Sequence, residues 1–488
     1  MLPFITICSL LARPPSVTLD VHFEMIPNLA YQLDIVSTLF DRGRSGAYHN
    51  LWNEKFLVTK EDKAQLEAWK TIRAKLGNQS MAESIKFPIA PVRLPFDNEV
   101  KARLAGINAT SVTDFGRRIS QVMSKEDSKV LTNAMAHFSE PFRAWWESEV
   151  SEKGKSFHLK MQKLVLDPKV SESVASYVRF FQPEIANDAV IPFQLMVKPK
   201  LKGSGMSGEQ VADTAVAEFV EGESPANRID VIVHELCHYF FWKGSSNNHI
   251  KLQKDFLGLN DPASIPAFNV MNEGLASTLG NGMLAEKFMT PESFLQYKNQ
   301  ERSWYGNFAI DGASKSTFEW LKGYIAKGGS LFDQDFAKNY VEQIKQGMGS
   351  AVLSPQMQLM SANYILGDGW TEEVYSVLMN SIQSTYTSAR MGDSISKSIL
   401  DSKSESPYMS SIIVIKPKDL ANVASMIGLS QSEVKLIRAK LNSDKSCGFA
   451  KRANIASMNY VLVGNDKEKI GEMSRKLGSS RMPVVGLF

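Results

Sequence analysis

Ile229-Asp230-Val231-Ile232-Val233-His234-Glu235-Leu236-Cys237-His238-Tyr239-Phe240-Phe241-Trp242 is the stretch on which the reading of this chain turns. An apolar run before the polar centre and an aromatic run after it predict a helix in contact with a core. Upstream, Ser224-Pro225 supplies an N-cap residue type followed by proline at the first helical position. Downstream, Gly244 is expected to end the helix in the left-handed conformation. On such a helix His234 and His238 stand one turn apart on one face and can share a single metal ion. Glu235 projects beside that ion, within reach of a water in an open coordination position. Zinc lowers the pKa of such a water towards neutrality, and a carboxylate can take its proton as it attacks a carbonyl carbon.

Working outward, Ala189 to Lys198 and Thr214 to Val220 read as strands, separated by the glycine-rich segment Lys202 to Gly208. That segment lacks the Lys-Ser/Thr ending of a phosphate-binding loop, so it is read as a connection. A second helix is expected to begin near Pro266 and to carry Asn272-Glu273-Gly274-Leu275-Ala276. Gly274 and Ala276 would let this helix approach the histidine helix closely. Cys237 lies on a different helix face from both histidines and reads as a small buried apolar residue. His249, within Ser245-Ser246-Asn247-Asn248-His249, is another candidate metal ligand, though it reads as a histidine in an exposed loop.

His234-Glu235-Leu236-Cys237-His238 followed by Asn272-Glu273-Gly274-Leu275-Ala276 resembles the gluzincin group of zinc peptidases, which includes the thermolysin-like enzymes and zinc aminopeptidases. The resemblance covers residues 189–279. It implies a zincin-like fold, one zinc ion held by His234, His238 and Glu273, a water as the remaining ligand, and Glu235 as general base. Glu273 stands 35 positions after His238. A metzincin-like site would need glycine at position 241 and histidine at position 244, where this chain has Phe241 and Gly244. Thermolysin-like enzymes carry an aspartate one turn beyond the third ligand; this chain has Ser277 there, and either Ser277 or Asn269 is a candidate to orient a metal-binding histidine.

Peptide hydrolysis also needs a donor for the oxyanion of the tetrahedral intermediate. No histidine follows His249, so tyrosine is the natural type. Tyr305, in Trp304-Tyr305-Gly306, and Tyr364, before Gly367-Asp368-Gly369, are the candidates, with Arg302 a weaker one. The strand Thr214 to Val220 is expected to be the sheet edge along which a peptide aligns, as the resemblance implies for zincins.

A chain of 488 residues predicts several domains, and its composition, 43% apolar and 22% charged, is that of a globular protein. A net charge of +3 without a long basic block speaks against nucleic acid as a partner, and no apolar run is long enough to span a bilayer. The opening run Leu2 to Ala12 resembles the hydrophobic part of an export signal, yet no Lys or Arg precedes it, and a buried first strand accounts for it better. Val17 to Met25 alternates as a half-buried strand. Residues 111–182 read as mainly helical, and the serine- and charge-rich stretch 392–407 reads as a linker.

The expected organisation is therefore α+β: an N-terminal strand and helix region (1–110), a mainly helical zincin-like domain with a small sheet (111–391), the linker, and a small α/β appendage (408–488). The expected function is a zinc peptidase acting on a peptide or protein substrate. No Gly-Ala-Met-Glu-Asn-like signature of the aminopeptidases occurs, which favours an endopeptidase or a narrow-specificity processing enzyme. Two other classes stay open: a catalytically inactive zincin-fold binding or scaffold protein, and a zinc hydrolase of non-peptide amides or esters.

Overall fold

The alternation read at 17–25 forms the first strand, β1 (Ser16–His22), which buries Leu19 and Val21 and exposes Thr18 and Asp20. In the computed structural model, which describes residues 16–37, 46–76, 86–92, 96–200 and 207–488, β1 belongs to a four-stranded sheet. The run Leu2 to Ala12 lies outside the described residues. The other strands are β2 (Asp188–Lys198), β3 (Gly208–Val211) and β4 (Thr214–Val220), in the order β1-β2-β4-β3. β1, β2 and β4 run parallel, and β3 returns antiparallel to β4. Parallel strands covered on both faces read as near-continuous apolar runs, which is how β4 appears in the sequence.

This order corrects one expectation. β4 is not an edge: it is hydrogen-bonded to β2 on one side and to β3 on the other. The outer strand is β3, whose four residues, one glycine, two polar residues and one valine, made it hard to see.

The chain divides into two compact units, the first comprising Met1–Ala82 with Leu94–Gly244 and the second Glu83–Arg93 with Ser245–Phe488. This division falls inside the stretch 111–391 that the sequence groups as one domain. In the first unit, helices α1 (Met25–Val36), α2 (Gly46–Lys55) and α3 (Asn98–Ile107) lie on one side of the sheet. There Ile107, Leu104, Val100 and Tyr31 pack against Met196, Val211 and Val216. α4 (Ile229–Trp242) packs against β3 and β4. It covers the Ile229 to Trp242 stretch read from the sequence, but it starts four residues later than the Ser224-Pro225 signal predicts, and its ends differ. Pro225–Asn227 forms a separate short turn, Arg228 occupies the N-cap without a side-chain capping bond, and the helix closes at Lys243. Gly244 has no positive φ, so its left-handed freedom goes unused.

The second unit begins with α5 (Ser246–Gly258) and α6 (Ser264–Ala276), the latter continuing through a wide turn at Ser277–Leu284. α7 (Phe308–Ala326) and α8 (Phe336–Met348) pack on α6. A six-stranded sheet follows, built from β5 (Ser361–Leu366), β6 (Tyr386–Arg390), β7 (Ser410–Ile415), β8 (Cys447–Arg452), β9 (Met458–Val463) and β10 (Gly486–Leu487) in the order β10-β8-β9-β7-β5-β6. One face is covered by α9 (Glu372–Ile382) and α13 (Lys467–Ser479), whose Leu378 and Ile470 join Ala362, Ile412 and Tyr460. The other is covered by α10 (Ile395–Glu405), α11 (Leu420–Met426) and α12 (Gln431–Asp444), with Ile399, Val423 and Ile437 over Ile365, Ile413 and Val461.

The α/β layer thus starts at Ser361, ahead of residue 408, and the expected linker is largely α10. Ser394 caps that helix, and its buried face is drawn from Ile395, Ser398, Ile399 and Ser402, a pattern that serine composition disguises. The capping box of α12 is formed as read: the Ser430 N–H donates to Glu433 Oε2 at 2.6 Å, and the Glu433 N–H donates to Ser430 Oγ at 3.2 Å. The architecture is α+β, mainly helical with two small mixed sheets, and no helix among the described residues is long and apolar enough to cross a membrane.

Candidate metal centre

α4 presents its polar residues from an otherwise apolar helix. Ile229, Ile232, Val233, Leu236, Cys237, Phe240 and Phe241 are buried, which fixes the rotation of the helix. His234, Glu235 and His238 are buried too. The Nε2 atoms of His234 and His238 lie 3.1 Å apart, with the rings nearly edge to face at a centroid separation of 4.8 Å. One turn further on, Trp242 stacks on the His238 ring at 5.7 Å. The aromatic run therefore serves the core through Phe240 and Phe241 and steadies an imidazole through Trp242.

Two neutral imidazoles bring both lone pairs to one point only when a cation lies there; otherwise a proton must sit between them. Glu273, on α6, supplies the third donor. One ligand atom from each of His234, His238 and Glu273 lies within 4.8 Å of the other two. Among the described residues this is the one such group of histidine, cysteine and acidic side chains.

The set fits zinc by donor chemistry and by spacing. Ligands about 2.1 Å from a tetrahedral zinc stand about 3.4 Å apart. The histidine pair is already close to that separation, and the 4.8 Å bound leaves about 1.4 Å at most to be taken up by side-chain rotation.

Cys237 stays outside the group. Burial, reinforced by the charge of Glu235, pushes its thiol well above the ordinary range, so it is a neutral packing residue. His249 differs from its reading: it lies on α5, is buried, and meets Phe332 edge-on at 5.3 Å. Gly274 differs as well. The space over its α-carbon is taken by the Tyr340 hydroxyl, 2.9 Å from where a Cβ would stand, with Ala313 behind it, so its bare face receives α8 and α7. Ser277 Oγ and Asn269 Oδ1 are buried and make no hydrogen bond among the described residues.

The two candidate tyrosines sit in different settings. Tyr305 is half-buried at the end of a turn gathered by the Asp311 carboxylate, which accepts the N–H groups of Arg302 and Trp304 at 3.0 Å and of Tyr305 at 3.4 Å. Lys315 Nζ donates to the same carboxylate at 2.9 Å, and Arg302 is held at a φ of 57°. Tyr364 is in the middle of β5 and fully buried, its hydroxyl 2.9 Å from that of Ser384, and burial pushes its phenol pKa up.

One feature beside the site was not read from the sequence. Glu235 rests against Gly208 of β3, and Glu218 of β4 is buried with its carboxylate fully engaged. A signal was present: Glu218 is the one charged residue in the apolar strand Thr214–Val220.

The chain matches no known family model, no curated protein and no solved structure.

Proposed function

We propose that this protein is a zinc-dependent peptidase with a zincin-like catalytic core. The observation that carries the reading is the pair of buried imidazole nitrogens 3.1 Å apart on α4, with a Glu273 ligand atom within 4.8 Å. His234, His238 and Glu273 would hold the ion. Bound there, zinc would polarise the scissile carbonyl and acidify water in the open position.

The chain's own residues do the rest. Glu235, next to His234 on the helix and buried, takes the proton of the attacking water and passes it to the leaving amine. Burial of the carboxylate strengthens its interaction with developing positive charge. β3 is the strand suited to receive an extended peptide. The Glu218 N–H donates to Ser207 O at 2.9 Å, so Ser207 and Glu218 form a hydrogen-bonded pair, and the alternation of an antiparallel ladder turns the main-chain groups of Gly208 and Gln210 away from β4. Those groups grip a peptide backbone without regard to its sequence.

A second reading, a zinc-binding protein without turnover, draws on one observation: Ser277, where the resembling enzymes carry an aspartate, has a buried Oγ that makes no hydrogen bond among the described residues. Metal analysis with a peptide library separates the two. The peptidase reading expects about one zinc per chain, cleavage lost on chelation, Glu235→Gln that keeps zinc and loses at least about 100-fold in kcat, and His234→Ala that loses both. Zinc-replete protein that cleaves nothing would favour the second.

A further inference from the structure

Gly208 opens β3, and the space where its side chain would be is filled by Glu235. A Cβ built on Gly208 would stand 2.6 Å from Glu235 Oε1, 2.7 Å from Cγ and 2.9 Å from Cδ. The clash reaches Cγ, so rotating the carboxylate alone would not relieve it. Gly208 has no positive φ and pairs with Ala217 in an ordinary ladder, so glycine is required here for space and not for backbone conformation.

The strand that carries this opening is fixed by an unusual buried group. Glu218 Oε1 accepts the hydroxyls of Tyr31 at 3.1 Å and Tyr48 at 2.9 Å. Its Oε2 accepts Lys198 Nζ at 3.2 Å and the Ser207 N–H at 3.0 Å. The Ser207 carbonyl accepts the Glu218 N–H, so Ser207 is held at both of its main-chain groups by one residue. Burial, with the charge of Glu218 added, keeps both phenols protonated and donating. A buried carboxylate is tolerable only when its lone pairs are matched in this way, and such a network is rigid. It joins α1, α2 and β2 to the residue preceding Gly208.

We propose that Gly208 is a positioning residue for Glu235: its bare α-carbon is the seat of the Glu235 side chain, and Glu218 holds that seat in register. The catalytic consequence rests on Glu235 being the general base; the seat itself does not. A long carboxylate side chain has several rotamers, and a strand surface touching its Cγ and carboxylate selects one. Misplacement of a catalytic group by about 1 Å costs on the order of 100-fold in rate.

The seat is tested on the metal-free full chain by thermal unfolding of the wild type, Gly208→Ala, Glu235→Ala and the double variant. Gly208→Ala is expected to lower Tm in the wild type and to lower it far less beside Glu235→Ala, where the clashing atoms are gone. An equal loss in both backgrounds overturns the seat. Glu218→Gln is expected to speed amide hydrogen exchange across residues 207–211, with Tyr48→Phe, which keeps the ring, as the milder variant should the first not fold. Unchanged exchange in the folded variant overturns the role of Glu218.

The catalytic consequence is read in the zinc-loaded enzyme. Gly208→Ala should keep wild-type zinc content and KM within about threefold while kcat falls on the order of 100-fold; unchanged kcat overturns it. A zinc-replete wild type that cleaves nothing would instead remove the peptidase reading, and the thermal cycle would still decide the seat.

Discussion

Glu99, in the first turn of α3, is a carboxylate whose setting works against its charge. Its Oε1 is buried without a hydrogen bond among the described residues. Burial raises its pKa, and the nearby Arg103 and Arg73 oppose the rise only in part. A folded-state pKa above the unfolded one means that the native protein holds this proton more tightly. The stability this contributes is fully present below the ordinary carboxylate pKa and is lost as pH rises through the raised value. Glu99→Gln is therefore expected to stabilise the protein towards urea at pH 7 and to change little or destabilise it at pH 4. A gain of equal size at both pH values would show that the charge is not the cause. The same scale shows what a sequence makes visible. His234, Glu235 and His238 were legible because helical spacing alone fixes their mutual placement. Glu218 was not, because Tyr31, Tyr48 and Lys198 reach it from segments whose adjacency only folding creates.

Among elements, legibility followed the strength of the apolar pattern. β1, β2, β4 and α4 carry enough apolar residues at period 2 or in a helical run to be read nearly to their ends. β3 and α10 do not. β3 offers Val211 as its one large apolar residue, and α10 covers its sheet with two isoleucines and two small serines. Propensity and composition describe such a helix as a linker, and packing overrides them. The consequence is measurable. Ile399 is buried between α10 and the six-stranded sheet, so Ile399→Ala should cost about 2–4 kcal/mol in denaturant unfolding. A cost near zero would mean that the stretch behaves as a linker after all. Edge assignment failed for a related reason: strand order is a tertiary property, and a short polar strand is sufficient to turn an apparent edge into an interior strand.

For the whole molecule, the α+β class was legible and the partition was not. β1 pairs with β2, so that Ser16 meets Asp188 across 172 positions of chain, a pairing that no local pattern encodes. The boundary at Gly244 falls between the apolar helix α4 and the largely polar helix α5, where the polar run Ser245 to His249 reads as a loop after a helix and not as the start of a second unit. Each unit nevertheless contains one described cysteine, buried and unpaired: Cys237 in the first and Cys447 in the second. Burial pushes both thiols up, Cys447 to about 11, so neither reacts while its surroundings are closed. The protein thus carries two internal clocks. With Cys8 replaced by serine, a thiol reagent should label Cys237 and Cys447 only as fast as each unit opens, and mass spectrometry of the two peptides would time those openings separately. Chelation should quicken the labelling of Cys237, which lies between the two histidines that would hold the ion, and a Cys237 rate unchanged by chelation would count against a metal at that site.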